Sequence, residues 1–261
     1  LLYFYSLCRQ YTMFNGKSTI ITGANKNLGK QTAIAFAKEG SNILLHYHSP
    51  SSADQTEQLA KLLINDYNIK AITFGGDLSQ EDVTIELFDI AIEKFGKIDY
   101  AINNVGLMIR KPLFTNSLDE YNKMFDINVK ASFLFLKYSE LKLSEKGSVV
   151  MLTTSLLSAY TEGFSLYQAS KAAVYWMCKT ASKETQKKIT FNCISPGPMD
   201  TPFLSGKEDE GRINFLKNQA IEKRLTAVDD IVPIIKFIVK DGKWMTGQNL
   251  FANNGFLAPS A

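Results

Sequence analysis

Cysteine is scarce in this sequence: Cys8, Cys178 and Cys193 are the three in 261 residues. Their odd number and wide spacing exclude a disulfide framework and a CxxC-type metal knuckle, and point to reduced thiols in a cytoplasmic setting. Histidine is scarcer still. His46 and His48 share one short segment, so no scattered histidines are available to converge on a metal. Long apolar runs are missing: none approaches the roughly 18 residues that a spanning helix needs, and no membrane partner is expected. A charge excess is missing too. Lys+Arg number 29 against Asp+Glu 26, a net charge of +3 without a dense basic run, so nucleic acid is not an expected partner. Lys183, Lys187 and Lys188 read as a solvated helix end.

What is present is an ordinary globular balance, 45% hydrophobic and 21% charged, long enough for one large domain with a substantial core. The aromatic N-terminal stretch lacks a basic lead and a small-residue cleavage site, and makes a poor signal peptide. It is read as an extension, residues 1–13, with a natural start at Met13 or with residues 1–12 packed onto the body; residues 14–261 form the domain. Short apolar runs predict buried parallel strands at Ser18–Thr22, Asn42–Tyr47, Lys70–Phe74, Tyr100–Asn103, Ser148–Thr153 and Thr190–Ser195. Between them, helical spacing predicts helices over Leu28–Glu39, Ala53–Asn65, Glu81–Phe95, Leu118–Leu143 and Tyr167–Thr185. This alternation implies a single-domain, Rossmann-type α/β fold: a doubly wound parallel sheet with helices on both faces. Pro196 to Gly211 is the main irregular stretch, suited to a loop and short helix over a site.

The stretch Thr22-Gly23-Ala24-Asn25-Lys26-Asn27-Leu28-Gly29 joins the first strand to the first helix. Glycines there let backbone N–H groups approach a pyrophosphate at a helix N-terminus. Gly23 allows the tight turn and Gly29 lets helix and strand pack closely. Asn27 stands where a middle glycine would, and asparagine is among the few residues that tolerate positive φ. The loop is therefore a candidate cofactor site through Gly23, Asn25, Lys26, Asn27, Leu28 and Gly29. About 20 residues on, NAD-preferring folds place an acid for the ribose 2′-OH. This chain has Tyr47-His48-Ser49 there and no Asp or Glu until Asp54. Without that carboxylate, Lys26, His48 and Ser49 can meet a 2′-phosphate, which favours NADP(H). The bland alternative is a solvated Lys26 and a strand-capping Tyr47-His48.

Tyr167 and Lys171 lie four residues apart on one helix face. A nearby ammonium favours phenolate and brings a tyrosine towards useful acid–base chemistry. Such a pair alone is commonly an interface tyrosine and a surface lysine. Here it has company: "NNVG" at Asn103–Gly106, Asn128 in "INV", "TTS" at Thr153–Ser155 and "PGPMDTP" at Pro196–Pro202. All but Asn128 follow a strand's C-terminal end, the edge where doubly wound sheets bind ligands.

In this order the motifs closely resemble those of the short-chain dehydrogenase/reductase family, specifically its single-domain 3-oxoacyl-acyl carrier protein reductase-like branch. The likeness runs from residue 17 to about 257, and "WMTGQNLFANNGF" resembles the family's last strand with a glycine pair altered to Asn254-Gly255. The resemblance implies that Asp77 and Leu78 border an adenine and that Asn104, Val105 and Gly106 line a ribose. It implies Tyr167 as acid–base, Lys171 as ribose holder that depresses the tyrosine pKa, and Asn128 as anchor of a relay water. Pro196, Gly197, Met199 and Thr201 would surround the nicotinamide. The family's substrate-orienting hydroxyl falls on Thr154 by counting back from Tyr167, with Ser155 one residue later left open; either can donate to a carbonyl.

The expected function is thus NADP(H)-dependent interconversion of a carbonyl, of ketone or 3-oxoacyl type, and a secondary alcohol. An NAD-dependent sugar or polyol dehydrogenase and a catalytically silent dinucleotide sensor are the alternatives. The substrate pocket is expected from segments 107–115, 156–165 and 199–215, apolar through Leu107, Met108, Leu156, Leu157, Phe164, Met199 and Phe203. Arg110 and Lys111 either meet an acidic substrate or are solvated. Helices Leu118–Leu143 and Tyr167–Thr185 carry more apolar surface than a monomer needs, and the family is commonly tetrameric, so a homo-oligomer, tetramer or dimer, is expected.

Overall fold

A computed structural model describes residues 12–206 and 208–256. Most of the N-terminal extension, with Cys8, therefore lies outside the described residues. Seven strands form one parallel sheet in the order β3-β2-β1-β4-β5-β6-β7. They are β1 (Ser18–Ile21), β2 (Asn42–Tyr47), β3 (Ala71–Gly75), β4 (Tyr100–Asn103), β5 (Ser148–Leu152), β6 (Thr190–Pro196) and β7 (Asn249–Ala252). The helices are α1 (Asn27–Lys38), α2 (Ala53–Tyr67), α3 (Glu81–Phe95), α4 (Leu118–Phe125), α5 (Ala131–Lys142), α6 (Ser165–Glu184), α7 (Pro202–Ser205), α8 (Glu210–Gln219) and α9 (Val228–Lys240). Among the described residues, no helix is long and apolar enough to cross a membrane.

Alternation along each strand builds two cores. Ile21, Ile43, Leu45, Ile102, Val150 and Ile194 face α1, α2 and α9, where Phe36, Leu63 and Ile235 are buried. Ile20, Leu44, Ala101, Val149, Met151 and Phe191 face the opposite way onto α3, α5 and α6. Because both faces are covered, the strands read as continuous apolar runs. Phe14 closes the first core, its ring stacked 4.7 Å from that of Phe36, and burying such a side chain contributes about 1.5–3 kcal/mol.

One expected element is broken. The helix predicted over Leu118–Leu143 is α4, a π-helical turn at Asp126–Lys130, and α5. Ser117 starts it with a capping box, accepting the Glu120 N–H while the Glu120 carboxylate accepts the Ser117 N–H. The strand order reverses between β1 and β4, which pair in parallel at Thr19–Ile21 and Tyr100–Ile102. Their C-terminal ends open a crevice there, and the connections after both strands carry the glycine motifs.

Candidate active site

The glycine loop is tied to three strands. At the end of β1 the Thr22 hydroxyl donates to Asn103 Oδ1 at 2.9 Å and accepts the Asn104 N–H at 2.9 Å. The Asn104 amide returns to the loop, donating to Gly23 O at 3.2 Å. His46, buried on β2, accepts the Gly23 N–H at Nδ1 (3.2 Å) and joins Gly76 O through Nε2 (2.9 Å). Burial pushes this imidazole down to about 4, so it is neutral. Gly23 has φ 60 and Asn27 φ 48, so asparagine supplies the left-handed turn expected of it. Gly29 leaves no room for a side chain, since a Cβ would collide with Gly23 O and with Asn104 Nδ2. The first turn of α1 has neither a side-chain cap nor an acidic residue, leaving its N–H groups ready for an anion.

Beside the loop, exposed Lys26 and His48 share a wall with Ser49 and Ser52; Asn25 Nδ2 donates to Ser52 Oγ at 3.3 Å. Tyr47 points elsewhere, its ring lying against Gly75 on β3. For Asp77, burial works against ionisation, but the Ser79 hydrogen bonds and His48 outweigh it and hold the carboxyl below its usual range.

The hydroxyl and amine groups meet at the ends of β5 and α6. Tyr167 and Lys171 are one turn apart and buried. Burial pushes the Tyr167 phenol up to about 12, opposed by a hydrogen bond with Thr154. Burial brings Lys171 down to about 8, opposed by Cys193. The lysine ammonium donates to Leu152 O at 2.8 Å. In this arrangement the ammonium is turned to a strand carbonyl, and burial governs the direction of the phenol's shift. Thr154 and Ser155 diverge. Thr154 reaches Tyr167, whereas Ser155 Oγ donates to Ser195 O (3.2 Å) and Pro196 O (2.8 Å), bracing β6. Asn128 is fully buried in the π turn. Its Oδ1 accepts the Leu107 N–H at 2.7 Å, and its Nδ2 donates to Leu107 O (2.8 Å) and Ser170 Oγ (2.9 Å). Both amide hydrogens are thus committed to protein, and a relay water has only acceptor capacity to use on this side chain.

These groups open into one cavity of ≈ 780 Å³ that continues past Tyr167 between Leu156, Phe164, Phe203 and Leu216. Arg110 and Lys111 are partly exposed and each is engaged in an ion pair: Arg110 pairs with Glu208, and Lys111 with Glu120 at 2.9 Å. Gly197 approaches Asn253 so closely that a Cβ would sit 3.1 Å from its Cα. Asn254 takes φ 50, and its Oδ1 accepts the Glu222 N–H at 2.8 Å, so the altered glycine pair still makes the turn.

A family profile described as Enoyl-(Acyl carrier protein) reductase matches residues 23–257. The chain belongs to the short-chain dehydrogenase/reductase family. Within this family of oxidoreductases it is 30% identical to an NADPH-dependent aldehyde reductase-like protein, chloroplastic, of Arabidopsis thaliana, over 93% of this chain and 94% of that one. It is 27% identical to the 3-oxoacyl-(acyl-carrier-protein) reductase of Staphylococcus epidermidis, over 92% and 98%. A solved structure of a putative dehydrogenase from Burkholderia cenocepacia with bound NADP superposes with TM-score 0.91 at 36% identity, covering 98% and 99%.

Of the positions expected to form the family's site, most line the cavity; Gly29, Tyr47, Asp77, Leu78 and Asn128 stand behind its wall. Of the expected pocket residues, Leu107 and Leu157 are also outside it. The expected pocket segment 199–215 took in Arg212 and Phe215 of the α8 wall, but not its Leu216 and Gln219, and His46 was not foreseen. The signal for α8 was available, because those four residues share the i, i+3, i+4, i+7 spacing of one helix face.

Proposed function

We propose that the protein is an NADP(H)-dependent oxidoreductase interconverting a carbonyl, of ketone or 3-oxoacyl type, and a secondary alcohol. The observation carrying this reading is the buried Thr154–Tyr167 hydroxyl pair with Lys171 one helical turn away, all lining the cavity that begins at the glycine loop. The residues fit a dinucleotide: the uncapped α1 N-terminus suits a pyrophosphate, and Gly29 lets α1 pack closely against the loop that presents it. Lys26, His48, Ser49 and Ser52 form a wall without a carboxylate, which suits a 2′-phosphate. Relatives whose names specify NADPH, and the NADP-bound structure, support the same choice.

When bound, the cofactor supplies or takes the hydride. The chain's own part is to position and to move a proton. Thr154 donates a hydrogen bond to the substrate carbonyl, and Tyr167 Oη delivers its proton to the same oxygen during reduction. Ser155 takes no part, since its hydroxyl is spent on β6. Lys171 holds the ribose, and its positive charge then favours the phenolate that remains on Tyr167. Asn128 fixes the Leu107 backbone beside the reacting centre and holds the relay water. Tyr167→Phe should leave NADPH affinity within about twofold and lower turnover by about 10²–10⁴-fold, as measured by fluorescence titration and NADPH consumption. Full activity of that variant on a verified carbonyl would refute the mechanism, and tighter binding of NADH than of NADPH would refute the cofactor assignment. We also infer a homo-oligomer, supported by the apolar outer surface of α5 and α6.

A further inference from the structure

The far wall of the cavity is one face of α8. Phe215 and Leu216 supply apolar surface there, and Gln219 a neutral polar end. Arg212 is different in kind. Its guanidinium carbon lies 4.8 Å from the centre of the Phe215 ring, and its Nε is buried without a hydrogen-bond partner. A buried N–H on a charged group is costly to leave unmade, and folded proteins retain few of them.

Nearby acids do not answer this charge. Glu208 is paired with Arg110. Asp209 caps α8, spending Oδ1 on the Arg212 backbone N–H at 2.8 Å. Glu162 lies exposed at the cavity mouth, and no ion pair joins it to Arg212 among the described residues. Once Arg110 and Glu208 cancel, Arg212 is, among the described residues, the uncompensated cation of the cavity's substrate half. The acid-binding role that sequence alone offered to Arg110 and Lys111 thus passes to a residue on another element.

We propose that Arg212 anchors the carboxylate of the substrate, and that the enzyme acts on oxo acids whose carbonyl and acid groups are separated by an apolar or aromatic body. This rests on the carbonyl–alcohol reading above and adds which carbonyls are taken. The two Nη groups at the outer end of a guanidinium can meet both oxygens of a carboxylate in one plane, and the Phe215 ring against it holds that plane. A neutral ester of the same shape fills the apolar walls but brings the Arg212 guanidinium no counter-charge.

The test compares 4-oxo-4-phenylbutanoate and 5-oxo-5-phenylpentanoate with their methyl esters as substrates with NADPH. The wild-type kcat/KM should favour at least one acid over its ester by about 10- to 100-fold, expressed chiefly in KM. In Arg212→Met the acid-to-ester ratio should fall to near one, with Arg212→Lys recovering part of it and Arg212→Gln serving if the methionine variant does not fold. A second arm titrates the NADPH-loaded wild type with unreactive 4-phenylbutanoate and 4-phenylbutanamide by calorimetry, expecting the acid to bind at least about tenfold more tightly. Acid and ester reduced equally, or a preference that survives substitution of Arg212, overturns the carboxylate anchor and leaves carbonyl reduction standing. If no member of either pair is reduced, the functional reading falls on its own. The calorimetric arm still judges the anchor, which fails if acid and amide bind alike.

Discussion

His46 is the residue on which the glycine loop depends most and which the family motifs least announce. Its ring bridges the Gly23 N–H and the Gly76 carbonyl, a pairing that requires a neutral imidazole protonated at Nε2. Burial holds the folded pKa at about 4 against an ordinary 6.5. Between those values the unfolded chain binds more protons than the folded one, so stability falls as pH falls through that window. At about 1.4 kcal/mol per unit, the loss approaches about 3 kcal/mol by pH 4. Urea unfolding at pH 7 and pH 4.5 should therefore show the wild type losing about 2–3 kcal/mol more than His46→Gln. An equal loss in both proteins would refute this account. Sequence could not single out His46, because it is one residue of the apolar β2 run and its partner Gly23 lies in the loop after another strand. Asn27 was legible, because the demand for positive φ is local. Thr154 and Ser155 could not be separated by counting; the direction in which each hydroxyl leaves the end of β5 separates them.

At the level of elements, apolar runs and helical spacing were enough to place six strands and four helices, and the span of a fifth that proved to be broken, since a doubly wound sheet buries its strands on both faces. The π turn at Asp126–Lys130 was not legible, because apolar residues continue through it and nothing local distinguishes a widened turn from an α-helix. Its purpose is visible only in three dimensions. The turn carries Asn128 inward, where it satisfies both Leu107 backbone groups. Gly106 lies just above, where a Cβ would be 3.2 Å from Lys171 Nζ and 3.6 Å from Asn128 Oδ1. Asn128→Ala would leave the Leu107 N–H and C=O without these partners, at about 1–3 kcal/mol each. Calorimetry should show a melting temperature lower by roughly 5–10 °C, and turnover should fall more than NADPH affinity does. Unchanged melting would mean that the segment holds itself in place without Asn128.

For the whole molecule, the question is what covers α5 and α6. Helix α5 buries Leu134, Phe135, Leu136 and Tyr138 inward, while its outer face sets Phe133 and Leu141, 49% and 55% exposed, beside Lys137 and Glu140. Large apolar side chains grouped on an exposed face, rimmed by polar residues, mark an association surface. On α6, Trp176 is 59% exposed and borders a hollow shared with Phe133, Leu136 and Met177. A second copy placed across a two-fold axis would set the same patch against itself, burying the aromatic side chains of both. The consequence reaches the active site, since Tyr167 and Lys171 lie in the first two turns of the same helix α6. Sedimentation should find the wild type as a dimer or tetramer at micromolar concentration. Phe133→Glu combined with Trp176→Glu should sediment as monomer, because four carboxylates would then meet in a desolvated seam. That variant should also lose turnover, as α6 loses the brace that keeps Tyr167 facing Thr154. A monomeric wild type would remove the oligomer altogether. An oligomer that survives both substitutions would place the contact on another face.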